Sequence, residues 1–166
     1  PMTDLYTREQ LFETDELGNN LLHRVIINAG DALLNMINDL TKEAEYIITE
    51  QDFYRVYESI TENLTKEEQK DYLNSKNMHG DTALLIACEN TLSVIVDFLL
   101  KNIFINPNIA NETEKTPLMA VCATQPPAAL TIKRKEIIGD LLAREDIDVN
   151  LQDENDATAL SLAFTD

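Results

Sequence analysis

Residues 79–88 read HGDTALLIAC, residues 113–122 read TEKTPLMAVC and residues 155–164 read NDATALSLAF. Each opens as a polar turn, passes a threonine (Thr82, Thr116, Thr158) and then turns apolar, with the leading leucine at Leu84, Leu118 or Leu160. A weaker copy, LGNNLLHRVI at residues 17–26, has Asn20 in place of the threonine and Leu22 as its leucine. A second marker precedes three of the copies: NSKN (Asn74–Asn77), NIAN (Asn108–Asn111) and NLQD (Asn150–Asp153) each start eight residues before the matching threonine. From Asn20 to Thr82, Thr116 and Thr158 the intervals are 62, 34 and 42 residues. A period near ~33 residues, stretched twice by insertions, marks a repeat array whose units shield one another's apolar faces.

The local chemistry explains the abrupt change from turn to helix. A threonine hydroxyl at the N-cap accepts a backbone N–H from the first helical turn, and losing such a cap costs about 1 kcal/mol. Pro117, directly after Thr116, suits the first helical position, where its missing N–H does no harm. Leu84 to Cys88 are apolar on nearly every side, so that helix has to be buried on more than one face. A second helix follows. Leu92, Ile95, Val96, Leu99 and Leu100 form one stripe of Leu92–Leu100, and Ile137, Ile138, Leu141 and Leu142 repeat it in Lys135–Ala143. The unit is a turn, a short inner helix, an outer helix and a return.

These residues resemble the ankyrin-repeat family. GDTALLIA (Gly80–Ala87) followed by FLL (Phe98–Leu100) matches one repeat, and KTPLMAV (Lys115–Val121) followed by DLL (Asp140–Leu142) a second. IDVNLQDENDATALSLA (Ile147–Ala163) matches the joint into a last copy, and GNNLLH (Gly18–His23) is a degenerate first one. The resemblance implies an all-α solenoid of helix–turn–helix units, with a helical insertion after the first repeat. The expected division is an N-terminal extension at 1–14, repeats at 15–40, 74–107, 108–149 and 150–166, and the insertion at 41–73. The family's turn glycine is replaced by Glu114 and Asp156, and its histidine survives only as His23. Turns less ideal than the one at Gly80 are therefore expected at both replacements.

Two segments depart from the period. In the first, Thr49–Ile60 and Thr65–Leu73 each open on a threonine with an acid three residues on, Asp52 or Glu68, the signature of a helix start. One or two extra helices are expected there, completing the poor first repeat, with Phe53, Tyr54 and Tyr57 as a candidate second surface. In the other, Ala123–Lys135 carries Pro126 and Pro127, which end the inner helix, and the basic run Lys133–Lys135. It reads as a surface loop feeding a solvated helix start.

Composition narrows the function classes. The net charge is -17, the wrong sign for nucleic acid, whose binding rests on neutralising phosphates, and for anionic membrane surfaces. Apolar runs fall well short of the roughly 20 residues that a membrane-spanning helix needs. Cys88 and Cys122 sit at equivalent repeat positions; stacked helices lie about 8–10 Å apart, beyond disulfide reach, so both read as reduced, buried hydrophobes of a cytosol-like compartment. No phosphate loop, Cys-x-x-Cys pair or His-x-x-x-His helix occurs, and Asp153, Glu154 and Asp156 lack the spacing of a calcium loop. Neither catalytic residues, nor a metal, nor a cofactor is expected, and His23 reads as a structural hydrogen-bonding residue.

The resemblance implies a monomeric protein-binding scaffold whose turns project like fingers and, with the inner helices, line a concave face. The finger positions are Met78, His79, Asp81, Glu112, Glu114, Asp153, Glu154 and Asp156. Most are acidic, so the expected partner is a protein with a basic surface. An alternative follows from the last copy, which reaches Phe164 without an outer helix: the chain is the recognition portion of a longer enzyme. The degenerate Asn- and Ile-rich repeats are also similar in flavour to secreted effectors of intracellular bacteria, which would place it in a host cytosol.

Overall fold

The computed structural model describes residues 5–164, and among them it is helical without strands. Four inner helices follow the four capping residues: α2 (Leu21–Asn38), α5 (Ala83–Glu89), α7 (Pro117–Ala123) and α9 (Ala159–Ala163). Three outer helices alternate with them: α3 (Glu43–Asn63), α6 (Ser93–Leu100) and α8 (Thr131–Leu142). Two shorter elements, α1 (Arg8–Phe12) and α4 (Lys66–Leu73), complete the set. The inner helices stack in one row, α5 on α2, α7 on α5 and α9 on α7, and α8 stacks on α6 in the outer row. The all-α repeat architecture is therefore present.

The caps act as the sequence requires. Thr82 Oγ1 accepts the Leu85 N–H at 3.2 Å, and Thr116 and Thr158 accept those of Met119 and Ser161 at 3.3 Å. Asn20 Oδ1 does the same for His23 at 3.0 Å. The core lies between the rows. Leu22, Leu84 and Leu118, each two residues past its cap, are at most 3% exposed, and Ile95, Val96, Leu99, Ile137 and Leu141 enter from the outer row at 0%. Burying such a side chain is worth about 1.5–3 kcal/mol.

The insertion is helical, but its first helix starts earlier than expected. α3 begins at Glu43, led in by a 3₁₀ turn at Leu40–Lys42, with Glu43 and Glu45 in the first turn, where acids complement the helix dipole. Thr49 thus lies inside the helix, and its hydroxyl donates to the Tyr46 carbonyl at 2.8 Å. Thr65 does cap α4, in a reciprocal pair with Glu68. α3 packs along α2, and its rings reach α6: Phe53, Tyr54 and Tyr57 pack edge-on about Phe98, with centroids 5.7, 5.2 and 4.7 Å away. α3 therefore serves as the outer helix paired with α2.

Two other expectations change. α8 starts at Thr131, four residues before Lys135, so the loop is shorter than expected and the basic run lies in the opening turns of the helix. Arg134 is not a free surface cation either. Its Nε and Nη2 donate to the Val121 and Cys122 carbonyls at 3.0 and 2.7 Å, capping the end of α7. Leu142, expected in the buried stripe, is 51% exposed.

At the N-terminal end, α1 closes the stack. Leu11 is fully buried, and the Tyr72 hydroxyl donates to its carbonyl at 2.6 Å. Arg8 holds Glu68 through both guanidinium Nη atoms at 2.6 and 3.0 Å. That pair pulls the Glu68 carboxyl down to about 2.

Candidate functional site

Ahead of each inner helix the chain makes the same five-residue finger, at 15–19, 77–81, 111–115 and 153–157. The first residue is Asp15, Asn77, Asn111 or Asp153. Its side-chain Oδ1 accepts two backbone N–H groups, from the second and fourth residues onward, at 2.9–3.0 Å in every finger. Its own N–H donates to the carbonyl four residues on at 2.9–3.1 Å, and its carbonyl accepts the N–H three residues on at 3.0 Å. One acid or amide side chain thus organises the whole loop. Closing it requires a left-handed fourth residue. Gly18 and Gly80 sit at φ +72° and +75°, and Glu114 and Asp156 adopt the same conformation at +60° and +61°. The loops without glycine close in the same way, at the expense of left-handed strain.

The fingers are joined edge to edge. The N–H of Met78 donates to the Leu17 carbonyl at 2.9 Å, that of Glu112 to His79 at 3.2 Å and that of Glu154 to Thr113 at 3.1 Å. Side chains reinforce two of the joints: Asn77 Nδ2 donates to Asn19 Oδ1 at 2.9 Å, and Asn111 Nδ2 to Asp81 Oδ1 at 3.0 Å. The result is a continuous row along one edge of the array.

The expected finger residues divide into two kinds. Met78, His79, Glu112, Glu114, Glu154 and Asp156 are exposed along the row. Asp81 and Asp153 are half-buried, with Asp81 taking the Asn111 amide and Asp153 organising its own loop. Glu16, also exposed, occupies in the first finger the place of Glu112 and Glu154. The four fingers together hold eight carboxylates and one lysine, Lys115, whose Nζ lies 3.9 Å from Glu89. The Asp15 carboxyl is held below its usual range, chiefly by the Asn19 N–H.

Phe53 corrects the expectation of a second surface. Its ring is 0% exposed, because the aromatic cluster with Phe98 consumes it, so it presents nothing to a partner. Tyr54 and Tyr57 are half-buried in the same cluster, and the Tyr57 hydroxyl accepts from Asn102.

No acid–base or nucleophilic chemistry is assembled around the histidine and the thiols. His23 Nδ1 accepts the Asn20 N–H at 3.1 Å, which leaves the proton on Nε2 to donate to the Ser75 carbonyl at 3.0 Å. Burial lowers its pKa. It lines a cavity of about 490 Å³ with Phe12, Glu68 and Tyr72 beside the first finger, with both ring nitrogens engaged. Cys88 and Cys122 are free and buried, and burial pushes both thiols up, away from the reactive thiolate. Among the described residues no group of three His, Cys, Asp or Glu side chains is placed to hold a metal. No described helix is long and apolar enough to cross a membrane.

The family model of the ankyrin repeat matches residues 79–109, which run from the second finger through α5 and α6. The chain carries an ankyrin repeat. No curated protein matches it. Ankyrin repeats are protein-interaction modules and typically non-catalytic. Within the matched repeat, Asn77 and Thr82 set the turn and the cap, and Gly80 supplies the left-handed residue. A Cβ on Gly80 would lie 2.8 Å from the Glu112 nitrogen. Sequence reasoning found the Asn-rich markers without their role. The signal was available: an Asn or Asp five residues before every cap, Asp15 included.

Proposed function

We propose that this ankyrin-repeat chain is a protein-binding scaffold that grips a basic partner along its finger row. The observation that carries the reading is the row itself: backbone-linked fingers whose exposed tips include Glu16, Glu112, Glu114, Glu154 and Asp156. Met78, 63% exposed, adds an apolar contact beside His79. Asp81 and Asp153 contribute charge from behind the tips. Such a stripe favours Lys- or Arg-displaying proteins, with electrostatics steering the encounter.

The finger interval also serves as our definition of the repeat. Boundaries at 74, 108 and 150 start each unit just ahead of its finger, and α3 supplies the first outer helix from within 41–73. Two buried free cysteines fit a reducing, cytosol-like compartment, and the large like charge favours a monomer.

The test is affinity capture with the full chain, identification of the bound protein, and titration of that purified protein. Charge reversal at Glu112, Glu114 and Asp156 together should weaken binding at least tenfold, and raising the salt from 50 to 300 mM should weaken it further. Unchanged affinity in the triple variant removes the acidic row from the interface.

A further inference from the structure

We propose that the outer face of the array is a second docking surface, for a partner-protein segment that seats an apolar side chain between α3 and α6 and a Lys or Arg side chain between α6 and α8. Two hollows meet there, and Lys101 lines both. The first holds about 370 Å³ among Tyr57 of α3, Phe98 of α6 and the return turn that carries Asn102, Ile103 and Phe104. The second, of about 200 Å³, lies among Asp97 and Leu100 of α6 and Asp140 and Arg144 at the end of α8. The repeats show that the fold does not ask for an apolar side chain at Ile103. α6 and α8 lead into the same return turn: the Asn102 and Arg144 N–H groups donate to the Leu99 and Leu141 carbonyls at 3.0 and 3.2 Å, and those of Ile105 and Ile147 to the Asn102 and Arg144 carbonyls at 3.2 and 3.3 Å. Ile103 and Phe104 occupy the turn after α6, and Glu145 and Asp146 the same places after α8. Charged residues therefore serve this turn. Ile103 nevertheless stands 85% exposed, the most exposed large hydrophobic side chain among the described residues.

The charge in the second hollow selects the rest of the occupant. Asp140 is half-buried, and the lysine beside it, Lys101, is bonded to Asp97 instead, at 2.8 Å. Burial raises the Asp140 carboxyl above its usual range, and the neighbouring Asp97 and Glu136 charges raise it further. Arg144 does not answer that charge, because its guanidinium donates to the Leu100 and Ile105 carbonyls and pairs with Asp146. The hollow therefore keeps an uncompensated carboxylate, and a cation from outside complements it. An apolar residue near a basic one is the chemistry that fits both hollows together. Two copies of a chain at net charge -17 repel each other, which favours a basic partner over self-association.

The test is an NMR titration of the isotope-labelled full chain with four peptides: acetyl-Phe-Gly-Arg-amide and its homologues with two, three and four glycines. At least one should move the amide signals of Lys101, Asn102, Ile103 and Asp140 in a saturable way. Ile103→Glu, which gives this turn the residue of the next copy, should weaken that binding about tenfold, although the added negative charge alone would strengthen it. Asp140→Asn should weaken it about threefold. The first side chain is exposed and the second change keeps the shape, so the fold survives; an unchanged circular dichroism melt verifies this. The Glu112→Lys variant should bind as wild type does, which separates this surface from the finger row. No saturable shift with any of the four peptides overturns the proposal, and so does binding that either outer-face variant leaves unchanged. A wild-type dimer in sedimentation equilibrium that Ile103→Glu dissolves overturns it too, because the occupant is then a second copy.

Discussion

Replacing Gly80 with alanine tests whether the finger joint bears load. Gly80 sits at φ +75°, and a Cβ there would lie 2.8 Å from the Glu112 nitrogen and 3.1 Å from the Asn111 Cα. Both are backbone atoms and cannot rotate aside. The left-handed conformation costs a Cβ-bearing residue about 1–2 kcal/mol. Relieving the contact pushes the third finger away and weakens the Glu112 N–H bond to the His79 carbonyl, now 3.2 Å, a further 0.5–1.5 kcal/mol or so. The stiffer unfolded chain returns about 0.4–1 kcal/mol. The net expectation is a loss of about 2 kcal/mol. Glu114→Gly is the reciprocal change at φ +60°. It removes the left-handed penalty and adds unfolded-state freedom, for a gain of about 0.5–1 kcal/mol. Urea unfolding followed at 222 nm reads both. With a slope near 2 kcal/mol per molar, Gly80→Ala should lower the midpoint by about 1 M and Glu114→Gly raise it by about 0.3 M. A Gly80→Ala midpoint within 0.2 M or so of wild type would mean that the joint yields freely, and the rigid-row argument fails with it.

Leu118→Ala should cost about 2–5 kcal/mol, whereas Leu160→Ala, at the same repeat position but 69% exposed, should stay within about 0.5 kcal/mol; equal losses in urea titrations would contradict the burial contrast. Thr116→Ala should cost about 1 kcal/mol through the lost cap, and a thermal melt indistinguishable from wild type would discount that hydroxyl. Burial holds the His23 pKa below its ordinary value of about 6.5. The unfolded chain therefore takes up its proton first, and the stabilisation is complete above about pH 6.5 and fades as pH falls through the folded value. Comparing unfolding free energies of wild type and His23→Gln between pH 7.5 and 5 isolates this contribution from the carboxylates. Identical slopes in the two proteins would show that His23 does not titrate with folding.

What the sequence disclosed and what it hid divide along physical lines. Thr82, Thr116, Thr158 and Asn20 were legible because a cap needs a particular side chain at one position, next to an apolar run. Pro117 was legible for the same reason. The start of α3 was not, because Thr49 followed by Asp52 imitates a capping box, while the true start at Glu43 has no side-chain cap hydrogen bond. Phe53 looked available because helical periodicity places it on a face without saying what covers that face; Phe98 does, from 45 residues away. Arg134 and Arg144 were hidden similarly. Arg144 donates to the Leu100 and Ile105 carbonyls at 2.9 and 2.8 Å, and such backbone acceptors leave no trace in the sequence. The finger positions were readable as positions, but the division between tip residues and loop-organising residues needed the hydrogen bonds.

That division bears on why the fingers are acidic. The fold fixes the first residue of each finger, the left-handed fourth and the cap that follows. Nothing in the hydrogen bonding fixes the side chain of the second, and it is Glu in three of the four fingers: Glu16, Glu112 and Glu154. At the fourth position glycine serves the fold best, and Gly18 and Gly80 occupy it in the first two fingers. Glu114 and Asp156 instead accept a strain of about 1 kcal/mol each and place further negative charge in a row that already repels itself. Local stability accounts for neither choice. Strain at charged residues on the exposed tips of a backbone-linked row is what a surface kept for an opposite charge would show; the other left-handed non-glycine residue, Thr91 at φ +55°, is buried and uncharged. Salt offers the check on the cost. Screening should raise the unfolding midpoint of wild type more than that of a Glu112→Gln, Glu114→Gln, Asp156→Asn variant, and an equal response in both would mean that the tips do not repel one another and that the acidic row needs no partner to explain it.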